Sequence, residues 1–276
     1  MGTLPEKDRA GQMNIDLLQR VSMFNDQFRD GIKGSVFNKL DRGFATGNLS
    51  SLNDVQAGIT GNTAYSNLIA TKWTTISPGQ SVNYVESHDN LTLVDKITSS
   101  VPKATPIQIA QMSRFASSIA LLAQGMPFIQ AGQEFLRSKN GDENSYKSSD
   151  AVNSLKWSTK ATNITTYKYF QGLIALRKAH PAFRMTTEGQ VIKNVKFFAV
   201  PNNVVMYTLA GKAVGDKAAN FVVIHNPNAA EQIIKLPKAG KWSIVVAGEK
   251  AGTKPISTGN MSEVNVAGQS TMVLKQ

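Results

Sequence analysis

The sequence predicts an α/β unit followed by an all-β unit, with the boundary near residues 184–188. Three observations predict this. Up to about residue 185, short β-branched and apolar runs alternate with stretches of helical periodicity. Long polar loops follow those runs, as in a parallel sheet with crossover helices. Beyond Thr187, six short strand-like runs succeed one another between turn residues, the pattern of an antiparallel sandwich. The composition, 41% hydrophobic and 18% charged over 276 residues, supplies a packed core and fits about two domains.

In chain order, residues 1–20 read as a polar lead-in. Val21–Phe24 reads as the end of a strand opening onto Asn25-Asp26, and Phe28–Gly34 as one helical turn. Between Gly43 and Asn67 the chain turns to Gly, Asn, Ser and Thr and is expected to be loop. Asn67–Ile76 fits a short helix or irregular chain, and Pro78-Gly79 is a turn signal. Ser81–Ser87 is β-branched and aromatic, hence a strand. Ile107, Ile109, Met112, Phe115, Ile119 and Leu122 recur at helical spacing, and Gly125 stops that helix. Met126–Gly132 reads as a second apolar strand, and 138–156 as a long polar loop. Tyr169, Leu173 and Leu176 share one stripe of a helix over 165–179, which Pro181 ends. The all-β runs are Val191–Val200, Val204–Leu209, Phe221–His225, Gln232–Leu236, Trp242–Val246 and Ser270–Leu274. Asn202-Asn203, Asn226-Pro227-Asn228, Ala239-Gly240 and Gly259-Asn260 punctuate them.

Composition also excludes. No cysteine means no disulfide scaffold, thiolate zinc site or cysteine nucleophile, and three histidines argue against a multi-histidine metal site. Thirty Lys and Arg stand against 19 Asp and Glu, but the excess is smeared over both halves, with no basic run longer than two. A nucleic-acid role is therefore not expected. No apolar run reaches the ~18 residues of a membrane span, and the lead-in has no apolar export core. The location is left open: the chain as written is expected to be cytoplasmic, without membrane contact, and an extracellular parent enzyme is the alternative. No Walker loop, GxSxG elbow or HExxH helix is present.

Four places bear groups suited to chemistry. His88-Asp89-Asn90 follows a strand, where α/β barrels build active sites, although the same triplet suits the cap of a following helix. Gln133-Glu134 and Asn25-Asp26 end two other strands. Glu134 reads as an acid or base, or as a structural carboxylate paired with a nearby arginine; Asp26 reads as pairing locally with Arg29. The loop segment Asp142-Glu143-Asn144-Ser145-Tyr146 suits sugar hydroxyls, a Ca²⁺ ion or plain solvation. His180 and His225 read as structural.

Tyr84-Val85-Glu86-Ser87-His88-Asp89-Asn90 resembles the fourth signature of the α-amylase superfamily in its type I pullulanase form. Gly125–Arg137 resembles the eighth-strand segment of that group. Gly141–Tyr146, Asp150, Trp157 and Leu176–Arg184 continue it, and Met23–Asp26 with Arg29-Asp30 and Lys33-Gly34 resembles the sixth strand. The resemblance keeps its order over nearly the whole chain. It implies the C-terminal portion of a (β/α)8 TIM barrel (strands six to eight) over residues 1–186. A C-terminal antiparallel β-sandwich domain would follow over 187–276. It further implies retaining hydrolysis of α-1,6 branch points in pullulan- and starch-like glucans, by a nucleophile and an acid/base about 5–5.5 Å apart. Isoamylase-like or neopullulanase-like specificity is the alternative within that superfamily.

By the resemblance, Asp89 is the third carboxylate, the transition-state stabiliser. His88, Asn90, Arg137, Asn144, Tyr146 and Asp150 are substrate contacts, no metal ligand is named, and no cofactor beyond an optional Ca²⁺ is implied. The family's nucleophile lies in an Arg-x-Asp segment and its acid/base in a Gly-Glu segment, and neither occurs here. Gly2-Thr3-Leu4-Pro5 resembles the stretch just C-terminal to the acid/base. The expected partners are therefore an α-glucan and the N-terminal half of the same enzyme, and the chain alone is expected to be inactive. A non-catalytic glucan-binding or inert remnant is the non-enzymatic alternative.

Overall fold

The structure is a computed structural model describing residues 4–69 and 71–276; Gly2 and Thr3 of the lead-in lie outside them. Met23–Phe24 (β1), Ser81–Asn83 (β2) and Met126–Pro127 (β3) form a parallel sheet in the order β1-β2-β3. The strands are shorter than the runs at 81–87 and 126–132 predict. Asn25 N still donates to Val82 O (3.0 Å) and Phe128 N to Asn83 O (2.8 Å). Beyond these bonds the backbone leaves the ladder; Tyr84 turns its hydroxyl to Asp26 and Arg29, and Glu86 accepts from Leu93 N.

Around this sheet lie Asp26–Lys33 (α1), Leu52–Ile59 (α2), Leu93–Ser100 (α3), Pro106–Leu122 (α4), Asp150–Asn153 (α5), Ser158–Thr162 (α6) and Ile164–Ala179 (α7). Three of the seven starts carry a side-chain cap. Asn25 Oδ1 accepts from Phe28 N, Thr92 caps α3, and Thr105 with Gln108 forms a capping box on α4. The stretch 43–67 is not all loop. It contains α2, which includes Asn53 and Gly58 and whose Val55, Ala57 and Ile59 are fully buried. The described residues of 67–76 are irregular. α4 stops earlier than Gly125: it ends at Leu122, Ala123 is already extended, and Gly125 (φ +111°) turns the chain two residues further on. Arg177 of α7 reaches across and donates to the carbonyls of Leu121 (3.0 Å), Ala123 (2.6 Å) and Gly125 (2.5 Å), satisfying the orphan acceptors at that helix end.

The all-β part corrects the sequence in three places. The run 191–200 is not one strand: Glu188–Asn194 is a helix (α8), capped by Thr187, and only Val195–Phe198 (β4) is extended. The runs at 232 and 242 are one strand, Gln232–Ala247 (β7), bent where the register shifts between Lys235 and Gly240. Ser257–Val266 (β9) runs through Gly259-Asn260, where a turn was expected. Gly259 stands opposite Trp242 across the ladder, so the glycine belongs to the strand. With Val205–Ala210 (β5), Asn220–Asn226 (β6), Lys250–Ala251 (β8) and Ser270–Lys275 (β10), the seven strands form one antiparallel sheet. Its order is β4-β5-β6-β10-β7-β8, with β9 on β7.

Period-2 alternation divides this sheet between two cores. Met206, Val222, Ile224, Trp242, Val266 and Leu274 enclose a core inside the sheet. Val205, Tyr207, Phe221, Val223, Val245 and Val273 face the other way and share a core with α1 to α4 and α7. Polar contacts cross the same seam: Ser118 Oγ lies 2.6 Å from Thr271 Oγ1, and Arg114 pairs with Glu249 at 2.6 Å. No helix among the described residues is long and apolar enough to cross a membrane.

Candidate active site

The carboxyl ends of the three parallel strands open on one side of the sheet, and each delivers a polar segment there. After β1, Asn25 is buried. Its amide donates to Asn62 Oδ1 and Ser81 Oγ, both at 2.8 Å, which fixes the floor. Asp26 is held locally, as expected: Arg29 lies 2.8 Å from its carboxylate, and Tyr84 Oη donates to Asp26 Oδ1 at 2.6 Å. Burial and that carboxylate push the Tyr84 phenol above its ordinary pKa. Phe24, Tyr84 and Phe128, one from each strand end, pack edge-to-face with centroids 4.9 to 6.3 Å apart.

After β2 comes the loop that carries His88, Asp89 and Asn90. The side chains of His88 and Asp89 are 85% and 76% exposed, with Nε2 and Oδ2 3.3 Å apart. Asn90 takes the left-handed conformation at φ +63°, which Asn tolerates better than most residues. What positions this exposed pair is buried beneath it. Glu86 accepts a hydrogen bond from Leu93 N, so its carboxylate closes the loop at the first residue of α3. Its second oxygen has no hydrogen-bond partner among the described residues. Lys33, buried at the end of α1, reaches the carbonyl of Leu91 at 3.5 Å. Burial drives the two charges in opposite directions: the Glu86 carboxyl is pushed up to about 7 and the Lys33 ammonium down to about 8.

After β3, the segment Gln133–Asn140 wraps over the loop. Asp95 of α3 accepts from Ser138 Oγ (2.5 Å) and Lys139 N (2.8 Å). Buried Lys139 donates to the carbonyl of His88 (3.3 Å) and to Ser145 Oγ (2.6 Å), tying the third strand end to the second. Burial, with Arg137 nearby, holds the Lys139 ammonium below its ordinary value. Glu134 corrects the sequence. No arginine among the described residues pairs with it; its carboxylate accepts from Gly132 N at 2.9 Å.

The remaining predicted contacts are dispersed. The Arg137 guanidinium is turned to the backbone carbonyls of Ala131 and Asn153. Asn144 and Tyr146 stand exposed on the loop beyond, Tyr146 beneath the Lys147 ammonium at 5.2 Å. Asp150, also exposed, opens α5. Asp142 accepts from Asn144 N and Ser148 Oγ and closes a turn. No group of three or more His, Asp or Glu among the described residues is arranged to hold a metal ion. Sequence reasoning passed over Glu86, Asp95, Lys33 and Lys139. The signal for Glu86 was a lone charge between Tyr84-Val85 and Ser87, inside an apolar run; the others carried none.

Known proteins share this fold. A family model described as the pullulanase all-beta domain matches residues 191–250. The pullulanase of Bacillus subtilis strain 168 is 35% identical over 271 residues, covering 98% of this chain and 37% of that protein. The crystal structure of type I pullulanase from Bacillus subtilis str. 168 complexed with maltose superposes with a TM-score of 0.93 at 34% identity. It covers 99% of this chain and 38% of that one. An isoamylase of Flavobacterium sp is 30% identical but covers only 46% of the chain. The chain thus spans about two fifths of the length of the pullulanases it matches throughout. It belongs to the pullulanase family of glycoside hydrolases, and is similar to the C-terminal part of those enzymes.

Proposed function

We propose that this chain supplies three of the eight strands of a (β/α)8 barrel and the third carboxylate of a retaining α-1,6-glucan debranching site. The observation that carries the reading is the convergence of three parallel strand ends on one exposed loop, with Asp89 and His88 held outward by a buried frame. In a retaining mechanism, positive charge develops on the anomeric carbon and ring oxygen as the leaving group departs. A fixed carboxylate facing that centre stabilises the transition state more than the ground state. Asp89 takes this role; His88 and Asn90 hydrogen-bond the hydroxyls of the distorted sugar. Asn144, Tyr146 and Asp150 contribute more distant contacts, and Arg137 shapes the wall through the carbonyls it holds.

The nucleophile and the acid/base come from a further segment of the same kind of enzyme. That segment is the partner that completes the sheet beside β1 and β3. The test is turnover of pullulan. The 276-residue chain alone is expected to release no reducing ends above blank. Assembled with a segment bearing the other two carboxylates, it is expected to gain activity. Asp89→Asn should then cut kcat by about a hundred- to a thousandfold with KM little changed. His88→Ala should cost less, and Glu134→Gln should leave kcat near the parent value. Turnover by the chain alone, or a silent Asp89→Asn, overturns the assignment.

A further inference from the structure

We propose that the antiparallel sheet carries an anion site for a phosphate group, free or esterified to a sugar, between Lys217, Lys241 and Lys275. The proposal does not depend on the debranching reading of the Asp89 loop. A cleft of about 570 Å³ opens where the helix cover of the sheet ends, at His180 after α7. The three lysines line it together with Ser243 and Thr258.

Strand register builds the floor. Ser243 of β7 stands opposite Thr258 of β9 on one side and Lys275 of β10 on the other. Directly paired residues share a face, so the three form a row across three strands. The two hydroxyls lie 2.9 Å apart. Lys241 stands two residues before Ser243 on β7, hence on the same face and diagonal to Lys275. Phe221 of β6 pairs with Lys275 on its other side. That ring is buried against His180, with centroids 4.9 Å apart, which closes this end of the cleft. Lys217, just before β6, adds the third ammonium from outside the sheet.

Charge selects the ligand. Among the described residues no Asp or Glu carboxylate lies within 4.0 Å of these three ammonium groups. Asp216, beside Lys217 in the chain, is committed elsewhere. Its Oδ1 lies 2.8 Å from His180 Nδ1 and accepts from Ala218 N at 2.9 Å, and its Oδ2 accepts from Ala182 N at 3.2 Å. Like charges at neighbouring sheet positions repel, and a bound anion removes that cost. Lys275 is half-buried and donates to the carbonyl of Thr253 at 2.9 Å, which fixes its pose. An ammonium has three N–H groups, so this bond leaves donors for a ligand. Phosphate carries charge on several oxygens directed to different sides, and point charges with hydroxyl donors around them match it. A planar carboxylate is better met by an arginine fork, and no arginine lines the cleft. The cleft is larger than a phosphate group, which leaves room for a sugar that carries one.

The test is calorimetric titration of the 276-residue chain with inorganic phosphate and with glucose 6-phosphate. Ionic strength is held constant, and melting temperature checks folding. The parent is expected to bind saturably. The triple variant Lys217→Gln, Lys241→Gln, Lys275→Gln is expected to bind about tenfold more weakly or not at all. Lys241→Gln alone changes one exposed side chain and is expected to weaken binding about threefold, a result that stands even if the triple variant fails to fold. Lys193→Gln, Lys196→Gln, Lys235→Gln removes the same charge from exposed positions that do not line the cleft, and is expected to bind as the parent does. Tighter binding of glucose 6-phosphate than of phosphate identifies the sugar ester as the ligand; equal or weaker binding identifies free phosphate. No saturable binding by the parent, parent affinity in Lys241→Gln, or an equal loss in the second lysine set overturns the site.

Discussion

Glu86 shows how a residue far from solvent sets the behaviour of one that meets it. Its burial favours the protonated form and lifts the carboxyl to about 7, above its unfolded range. A carboxyl raised on folding adds stability that is complete below the unfolded pKa, about 4.3, and is lost as pH rises through the folded value. His225 works against it: burial holds that imidazole down to about 3, so its contribution is lost as pH falls below the unfolded range near 6.5. The parent profile alone therefore does not isolate Glu86. Comparison with Glu86→Gln does, because the amide keeps the bond to Leu93 N but does not titrate. Between about pH 4.5 and 7, parent stability relative to the variant is expected to fall by up to about 1.4 kcal/mol per pH unit. Urea denaturation across that range measures it. Equal slopes for the two proteins would show that Glu86 does not change protonation on folding.

At the scale of the element, α7 joins the two parts of the molecule. It touches the helices through Phe170 and Leu173 and the antiparallel sheet at β8. Gly172 lies at the latter crossing. A Cβ built there would sit 1.9 Å from Ala251 O, a backbone atom that cannot step aside. In an exposed helix, Gly→Ala stabilises by about 1 kcal/mol. Gly172→Ala is expected to do the opposite, destabilising by roughly 1–3 kcal/mol as α7 and β8 are forced apart. A rise in melting temperature for that variant would refute the close crossing. The length of α7 and its stop at Pro181 were legible in the sequence, because a period of 3.6 and a proline are local signals. The crossing was not, because β8 lies about eighty residues further along the chain.

Over the whole molecule, the boundary near Thr187 that the sequence marks is a change of composition, not a break in packing. The apolar cluster on α4 and α7 runs on into β5, β6, β7 and β10 without interruption. Cutting at 186/187 would bare that face of the sheet, which has buried aromatic and β-branched residues across it. The 276-residue chain is therefore expected to unfold in a single transition, with melting followed by tryptophan fluorescence and by far-ultraviolet circular dichroism coinciding. Two separated transitions would show that the two parts are independent.

By itself the sequence determined the succession of α/β and antiparallel parts, the helices α4 and α7, and the loop of His88, Asp89 and Asn90. These are properties of short windows: periodicity, caps, breakers and a run of seven residues that resembles a known signature. The helix holding Val191 and Ile192 also carried a local signal, the Thr187 cap, which their β-branched side chains masked. Only the tertiary structure decided that Gly259 lies within a strand, because the partner that makes it one is Trp242. The frame beneath Asp89 was equally hidden. Lys33, Asp95 and Lys139 look like ordinary surface charges until the fold buries them with Glu86, whose place in an apolar run was the one local hint, and burial is a property of the assembled chain rather than of any window of it.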